Sequence, residues 1–290
     1  MRILIAPDKF KHSLSAEEVC DIIAGQIRKV WPKAEVVQIP LADGGEGTLQ
    51  ILKSQLSVKV IEKTVSDPLF RPVRAEYLFK ERTAYIETAR ASGLSLLHKN
   101  ELLTKKTSSF GTGELIKDAI ANGAEEIYLM IGGSATTDGG AGMAEALGVE
   151  FQDHNGQKIE KIRGEDLISI SSCDDSALKH FQDIRFTVLS DVQNPLLGTN
   201  GAVAVYGPQK GLEDGDREFL ESGLSNLSQI LKSGRENLPG AGAAGGVGYG
   251  LMSFFQAELK SGIEEVMKIL SFEDQVRKAD LILTGEGKLD

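Results

Sequence analysis

The opening of the chain constrains the fold more than any other stretch. Residues 2–6, with the apolar run 3–6, read as a short buried strand, and Ser15-Ala16-Glu17-Glu18 has the pattern of a helix capping box. Its serine hydroxyl and glutamate would satisfy backbone N–H groups that the first turn leaves free. Val19, Ile22, Ile23, Ile27 and Val30 then recur on one helical face, Pro32 closes the element, and residues 35–39 read as the next strand. Strand, helix, strand in this order predicts a right-handed crossover with both strands parallel in one sheet. The alternation resumes with a helix over residues 113–121, ended by Asn122-Gly123. Strands are predicted over 126–131, 184–189, 202–206 and 280–283. The pattern as a whole predicts α/β architecture.

The stretch from 58 to 87 reads differently. Val73-Arg74-Ala75-Glu76-Tyr77 and Ala84-Tyr85-Ile86 alternate as antiparallel strands do, so the chain is expected to enter a second domain near Asp67. At 290 residues there is room for two domains. The last predicted strand runs into Thr284-Gly285-Glu286-Gly287 with no covering helix after it. A parallel sheet requires such cover, so the sequence is expected to continue beyond what is recorded.

A net charge of −10 argues against nucleic acid as the main partner. Hydrophobic residues at 41% and charged residues at 26% describe a globular chain and exclude a disordered one. Cys20 and Cys173 match no metal-ligand spacing, and His12, His98, His154 and His180 are scattered among polar residues as surface histidines are. The apolar run at the N-terminus is too short for a signal peptide, and no later run approaches a membrane span. The expected location is the cytoplasm.

Most candidate functional residues fall at the C-terminal ends of predicted strands, where open α/β sheets place their ligand crevices. The strongest candidate is Ile131-Gly132-Gly133-Ser134-Ala135-Thr136-Thr137-Asp138-Gly139-Gly140-Ala141-Gly142, between a strand and a helix. Its glycines admit close approach of a ligand, and free N–H groups with the hydroxyls of Ser134, Thr136 and Thr137 suit a phosphate. A tight turn alone needs fewer of these residues. Gly240-Ala241-Gly242-Ala243-Ala244-Gly245 spells the dinucleotide fingerprint but follows a polar loop and not a strand. It therefore reads equally as a nucleotide-contacting or a helix-packing loop and does not support NAD.

Asp43-Gly44-Gly45-Glu46-Gly47 sets two carboxylates among glycines after the second strand, suited to Mg²⁺, to a polyol, or simply to a helix start. Asp8, Lys9 and Lys11 follow the first strand. A lysine there can pair with a carboxylate or phosphate, and the ordinary solvated role fits Lys9 better than Lys11. Asp191, in Ser190-Asp191-Val192-Gln193-Asn194-Pro195, could orient or deprotonate a hydroxyl, hold a metal, or cap a turn. Neither a Walker A sequence nor a protein-kinase signature is present.

Taken together, Ala6-Pro7-Asp8-Lys9-Phe10-Lys11, Ala42-Asp43-Gly44-Gly45-Glu46-Gly47-Thr48, Gly111-Thr112-Gly113-Glu114 and the segment 132–142 resemble the motifs of the glycerate kinase family. So do 190–195, Gly207-Pro208-Gln209-Lys210-Gly211, 239–246 and 284–290. The family's usual opening has serine and glycine where this chain has Lys9 and His12. The resemblance implies ATP- and Mg²⁺-dependent phosphorylation of D-glycerate, leaning toward 2-phosphoglycerate. It also implies two domains with the active site in the cleft between them. One is Rossmann-like, expected over residues 1–66 and 258–290; the other is an inserted flavodoxin-like domain over 67–257.

On this reading Gly132, Gly133, Ser134, Ala135, Thr136, Asp138 and Gly139 cradle the ATP phosphates, with Gly242 and Gly245 also at the nucleotide. Asp191 activates the glycerate hydroxyl, Asp8 stands with it at the reacting groups, and Asp43 or Glu286 helps to hold Mg²⁺. Lys11, with Arg71 or Lys210, neutralises the carboxylate or the transferring phosphoryl group, and Gly44, Gly45 and Glu46 face the substrate. Rival expectations are a kinase for another small hydroxy acid and a nucleotide-binding fragment without turnover. A homodimer is left open; membrane partners are not expected.

Overall fold

The computed structural model describes residues 1–10 and 13–287. Its strands in chain order are β1 (Arg2–Ile5), β2 (Glu35–Gln38), β3 (Lys59–Ser66), β4 (Pro72–Lys80), β5 (Thr83–Glu87) and β6 (Glu126–Met130). They continue with β7 (Glu150–Asp153), β8 (Lys158–Ile159), β9 (Ile170–Asp174), β10 (Arg185–Leu189), β11 (Glu258–Lys260) and β12 (Leu281–Leu283).

The first three-stranded sheet has the order β12-β1-β2 and is parallel throughout. The helix Ala16–Val30 makes the crossover, and its capping box is present: the Glu18 N–H donates to Ser15 Oγ at 3.1 Å, and the Ser15 N–H donates to the Glu18 carboxylate at 2.8 Å. Ile3 and Ile5 pack with Cys20, Ala24 and Ile27 of this helix on one face. Leu4 packs on the other with the side chains of Ile263 and Met267. The buried helical stripe is narrower than the sequence predicts. Ile22 and Val30 are exposed, because Val19, Cys20, Ala24 and Ile27 already complete the face that meets the sheet.

The six-stranded sheet has the order β11-β10-β6-β5-β4-β3. β11, β10, β6 and β5 run parallel, while β4 and β3 close one side antiparallel, as their alternation predicts. β3 pairs along its whole length with β4, and β11 pairs with β10, so this sheet begins at Lys59 and ends at Lys260. The expected borders at 66/67 and 257/258 fall at the end of β3 and at the start of β11, and both of these strands pair within the six-stranded sheet.

Both faces of this sheet are covered, as a mostly parallel sheet requires. Ala84, Ile86, Ile127, Leu129 and Val188 point into the main core, with Leu115 and Ile116 of the helix Phe110–Ala121 and Val247 and Leu251 of the helix Val247–Phe255. Tyr85, Met130 and Leu189 point the other way, onto Leu49 and Leu52 of the helix Thr48–Gln55 and Val266 of the helix Gly262–Ile269. A small antiparallel sheet, β8-β7-β9, flanks the main core.

One predicted strand is a helix, Ala202–Tyr206. Its β-branched composition favours a strand, but β10 already has β6 on one edge and β11 on the other, so the sheet offers no place there. Ala202 and Val203 bury into the main core instead. Among the described residues, no helix is long and apolar enough to cross a membrane.

Candidate active site

Four strand ends converge on one cleft of about 970 Å³. The three-stranded sheet contributes Asp8, Lys9 and Phe10 after β1, and Asp43, Gly45, Glu46 and Gly47 after β2. The six-stranded sheet contributes Gly132, Gly133 and Ser134 after β6, and Ser190 and Val192 after β10. Tyr206, Gln209, Lys210, Ala243 and Ala244 close the far wall.

The loops from the two sheets meet backbone to backbone. A Cβ at Gly132 would lie 2.7 Å from Gly45 Cα, so any other residue would push the two loops apart. Gly44 adopts φ of +80° while wedged against Leu189, a conformation that side chains rarely reach.

Lys210 is the most unusual group in the cleft. It is fully buried, and its ammonium donates to Ser134 Oγ at 2.9 Å and to the Thr136 carbonyl at 2.7 Å; among the described residues no carboxylate is in ion-pair contact with it. Burial pushes its pKa down to about 7, with the more distant Asp138 charge pulling the other way. A buried cation without a counter-ion is costly and presents a ready site for an anionic ligand.

The opposite wall is open and already paired. The Lys9 ammonium reaches Asp43 Oδ1 at 3.3 Å and the Glu46 carbonyl at 3.2 Å. Burial alone would raise the Asp43 pKa, but the Lys9 charge and the Gly45 N–H outweigh it and hold the carboxyl below the usual range. Lys9 is thus bound into the site and is not the freely solvated lysine that its position suggested. Asp8 lines the same wall, its Oδ1 accepting from the Lys9 N–H at 2.6 Å.

Several expected contacts are placed elsewhere. Asp138 is fully buried, its carboxylate accepting from the Ser109 N–H and hydroxyl and from the Gly140 and Gly142 N–H groups; it organises the loop from behind. Burial pushes its pKa up against those donors. Ala135 and Thr136 are buried, and the Thr136 hydroxyl has no hydrogen-bond partner among the described residues, so it is the Thr136 carbonyl that serves the cleft, through Lys210. Gly139, Gly242 and Gly245 pack tightly against Leu227, Pro195 and Thr136. The 240–245 segment therefore packs through its glycines and presents Ala243 and Ala244 to the cleft.

Arg71 is bound by Asp67 and Glu101, each at 2.6 Å, and does not line the cleft. Asp191 is exposed between the cleft residues Ser190 and Val192, its Oδ1 accepting from the Gly262 N–H at 3.1 Å. Glu286 is exposed in the segment after β12. Lys11 lies outside the described residues.

The family profile described as the glycerate kinase family matches residues 3–290. The chain belongs to the glycerate kinase family. It is 43% identical to a glycerate kinase of Bacillus subtilis (strain 168) and 42% identical to a glycerate 2-kinase of Escherichia coli (strain K12). Each alignment covers 100% of this chain and 78% of the relative. A crystal structure from Salmonella typhimurium LT2, put forward as a glycerate kinase 2, matches with a TM-score of 0.90 at 42% identity. That match covers 100% of this chain and 79% of the other. As a glycerate kinase family member the chain is a kinase.

Glu87 escaped the sequence reading. It ends β5, is buried, and its Oε1 accepts from the Gly47 N–H at 2.5 Å. A carboxylate at the C-terminal end of a strand is the same signal that singled out Asp191. Here it was hidden inside a segment read for its antiparallel alternation.

Proposed function

We propose that this chain transfers the γ-phosphoryl group of ATP to D-glycerate, giving 2-phosphoglycerate. The observation that carries the reading is Lys210, a buried cation with no carboxylate partner among the described residues, beside the Gly132–Ser134 loop in the cleft wall. Such a group suits the multiply charged tail of a nucleotide. The opposite wall, with Asp8, Lys9, Asp43 and Glu46, offers the mixed donors and acceptors that a small hydroxy acid needs. The names of the relatives from B. subtilis and E. coli support glycerate as acceptor, and that of the E. coli protein supports the 2-position.

Phosphoryl transfer needs positioning and charge neutralisation more than covalent chemistry. On this reading Ser134 and the Gly132-Gly133 backbone hold the phosphates, and Lys210 neutralises them. Asp191, at the rim, orients or deprotonates the glycerate hydroxyl, with Asp8 contributing from the wall of the three-stranded side. Among the described residues, no three His, Cys, Asp or Glu side chains could by themselves hold a metal ion. Mg²⁺ in kinases is held by one or two carboxylates together with substrate phosphates. Asp43 would hold it from the protein side, with Glu286 the second candidate, and the ion would offset charge on the transferring group. The reading takes the two sheets as the cores of a Rossmann-like and a flavodoxin-like domain facing each other across the cleft.

A coupled ADP-release assay with ATP, Mg²⁺ and a panel of hydroxy acids tests the proposal, with phosphorus NMR to locate the new ester. D-glycerate should turn over fastest and give the 2-phosphate, and Asp191→Asn should lower turnover by ~10²–10⁴. Faster turnover of another acid would reassign the acceptor, and an unimpaired Asp191→Asn enzyme would remove Asp191 from the chemistry.

A further inference from the structure

We propose that Glu87 is a positioning residue of this site: its carboxylate holds the loop carrying Asp43 and Glu46 in register with the glycine loop after β6. What the site does rests on the kinase reading; the contact itself does not.

β5 and β6 are parallel neighbours with Glu87 opposite Met130, so Glu87 leaves the sheet beside the start of the Gly132–Ser134 loop. Its side chain turns toward the other loop, where Oε1 accepts from the Gly47 N–H and Oε2 accepts from Arg90 Nε at 3.2 Å. Gly47 precedes the helix Thr48–Gln55 and has no side chain with which to cap it. Glu87 thereby supplies a charged acceptor next to a helix N-terminus, where negative charge is favoured. Burial pushes the Glu87 pKa up, against the Gly47 N–H and the Arg90 charge.

The network then returns to the same helix. Arg90 lies 3.7 Å from Glu76, and Glu76 accepts from Lys53 at 2.9 Å. The loop and the helix behind it are therefore both tied to the six-stranded sheet. Because Gly45 and Gly132 already touch backbone to backbone, a shift of this loop changes the width of the cleft directly. Misplacement of a reacting group by about 1 Å can cost ~10²-fold in rate.

The bland alternative is a buried ion pair with Arg90 that only stabilises the fold. Two substitutions separate the readings, because Glu87→Gln keeps an oxygen to accept from Gly47 while Glu87→Ala keeps none, and both lose the charge. With D-glycerate and ATP, Glu87→Gln should stay within about threefold of wild type. Glu87→Ala should lose on the order of 10–100-fold in kcat/KM for glycerate, with the KM for ATP little changed. Amide hydrogen exchange on the unliganded protein should be faster over residues 43–48 in Glu87→Ala alone.

Equal impairment of the two variants, or unchanged exchange over 43–48 in Glu87→Ala, would overturn the proposal in favour of the ion pair. The exchange arm requires no turnover. A wild-type protein inactive on glycerate would therefore sink the kinase reading while still testing Glu87.

Discussion

The two walls of the cleft are built on different physical terms. On the six-stranded side Ser134, Thr136 and Lys210 are buried, and their polar groups meet one another across a dry interior. On the three-stranded side Asp8, Lys9, Asp43 and Glu46 are half-exposed or exposed and paired within reach of water. The dry wall concentrates electrostatics, since a charge there interacts more strongly and is costlier to leave unmatched. The wet wall is screened and adaptable. A site that must hold a polyanion rigidly and accept a small neutral-to-anionic partner gains from having one wall of each kind.

The contrast breaks most readily at Lys210. Lys210→Met should lower turnover by ~10²–10³, as loss of a buried charge at a transferring phosphoryl group does. It should also change stability in a pH-dependent way. The folded pKa of about 7 lies below the ordinary lysine value of 10.5, so between these the unfolded chain binds the extra proton. Wild-type stability should therefore rise with pH across that window, with the burden of the buried charge fully present below it. The methionine variant should lose this slope in thermal melts followed from pH 7 to 10.

A smaller effect is expected on the wet wall. Asp43→Asn should raise the Mg²⁺ concentration for half-maximal rate and lower turnover by roughly tenfold, while stability moves by only about 1 kcal/mol or less, as for exposed pairs. A melt as strongly perturbed as that of a core mutant would erase the distinction between the walls. The smallest effect belongs to Arg71→Ala. The Arg71 ion pairs with Asp67 and Glu101 lie away from the cleft, so turnover should stay within about twofold. A large loss of glycerate affinity would return Arg71 to the substrate.

The wet wall was more legible in the sequence than the dry one. Asp8, Asp43 and Glu46 lie in the stretches that follow the first two strands, and strand ends are where such sheets put ligands. The glycine run after β6 was visible for the same reason, but its composition could not say which residues face inward. Gly132, Gly133 and Ser134 line the cleft, whereas Asp138 and Gly139 are consumed in packing the loop and the helix behind it. Periodicity located the helix Ala16–Val30 and its cap. It failed at Ala202–Tyr206 because the number of free sheet edges is a property of the whole topology, which no local window contains. The pairing of Lys9 and the contacts of Glu87 were not legible because their partners lie 34 and 40 residues away, after another strand.

The helix Gly262–Ile269 has its sides in two different cores, with Val266 set among Leu49, Met130 and Leu189, and Ile263 and Met267 beneath Leu4 and Ile39. It works as a common axle for the two sheets. Side chains pack in discrete rotamers, so neither sheet can turn about this axle by an arbitrary small angle without opening a void on one side. Any change in the angle between the sheets would therefore have to repack this one helix against two cores at once.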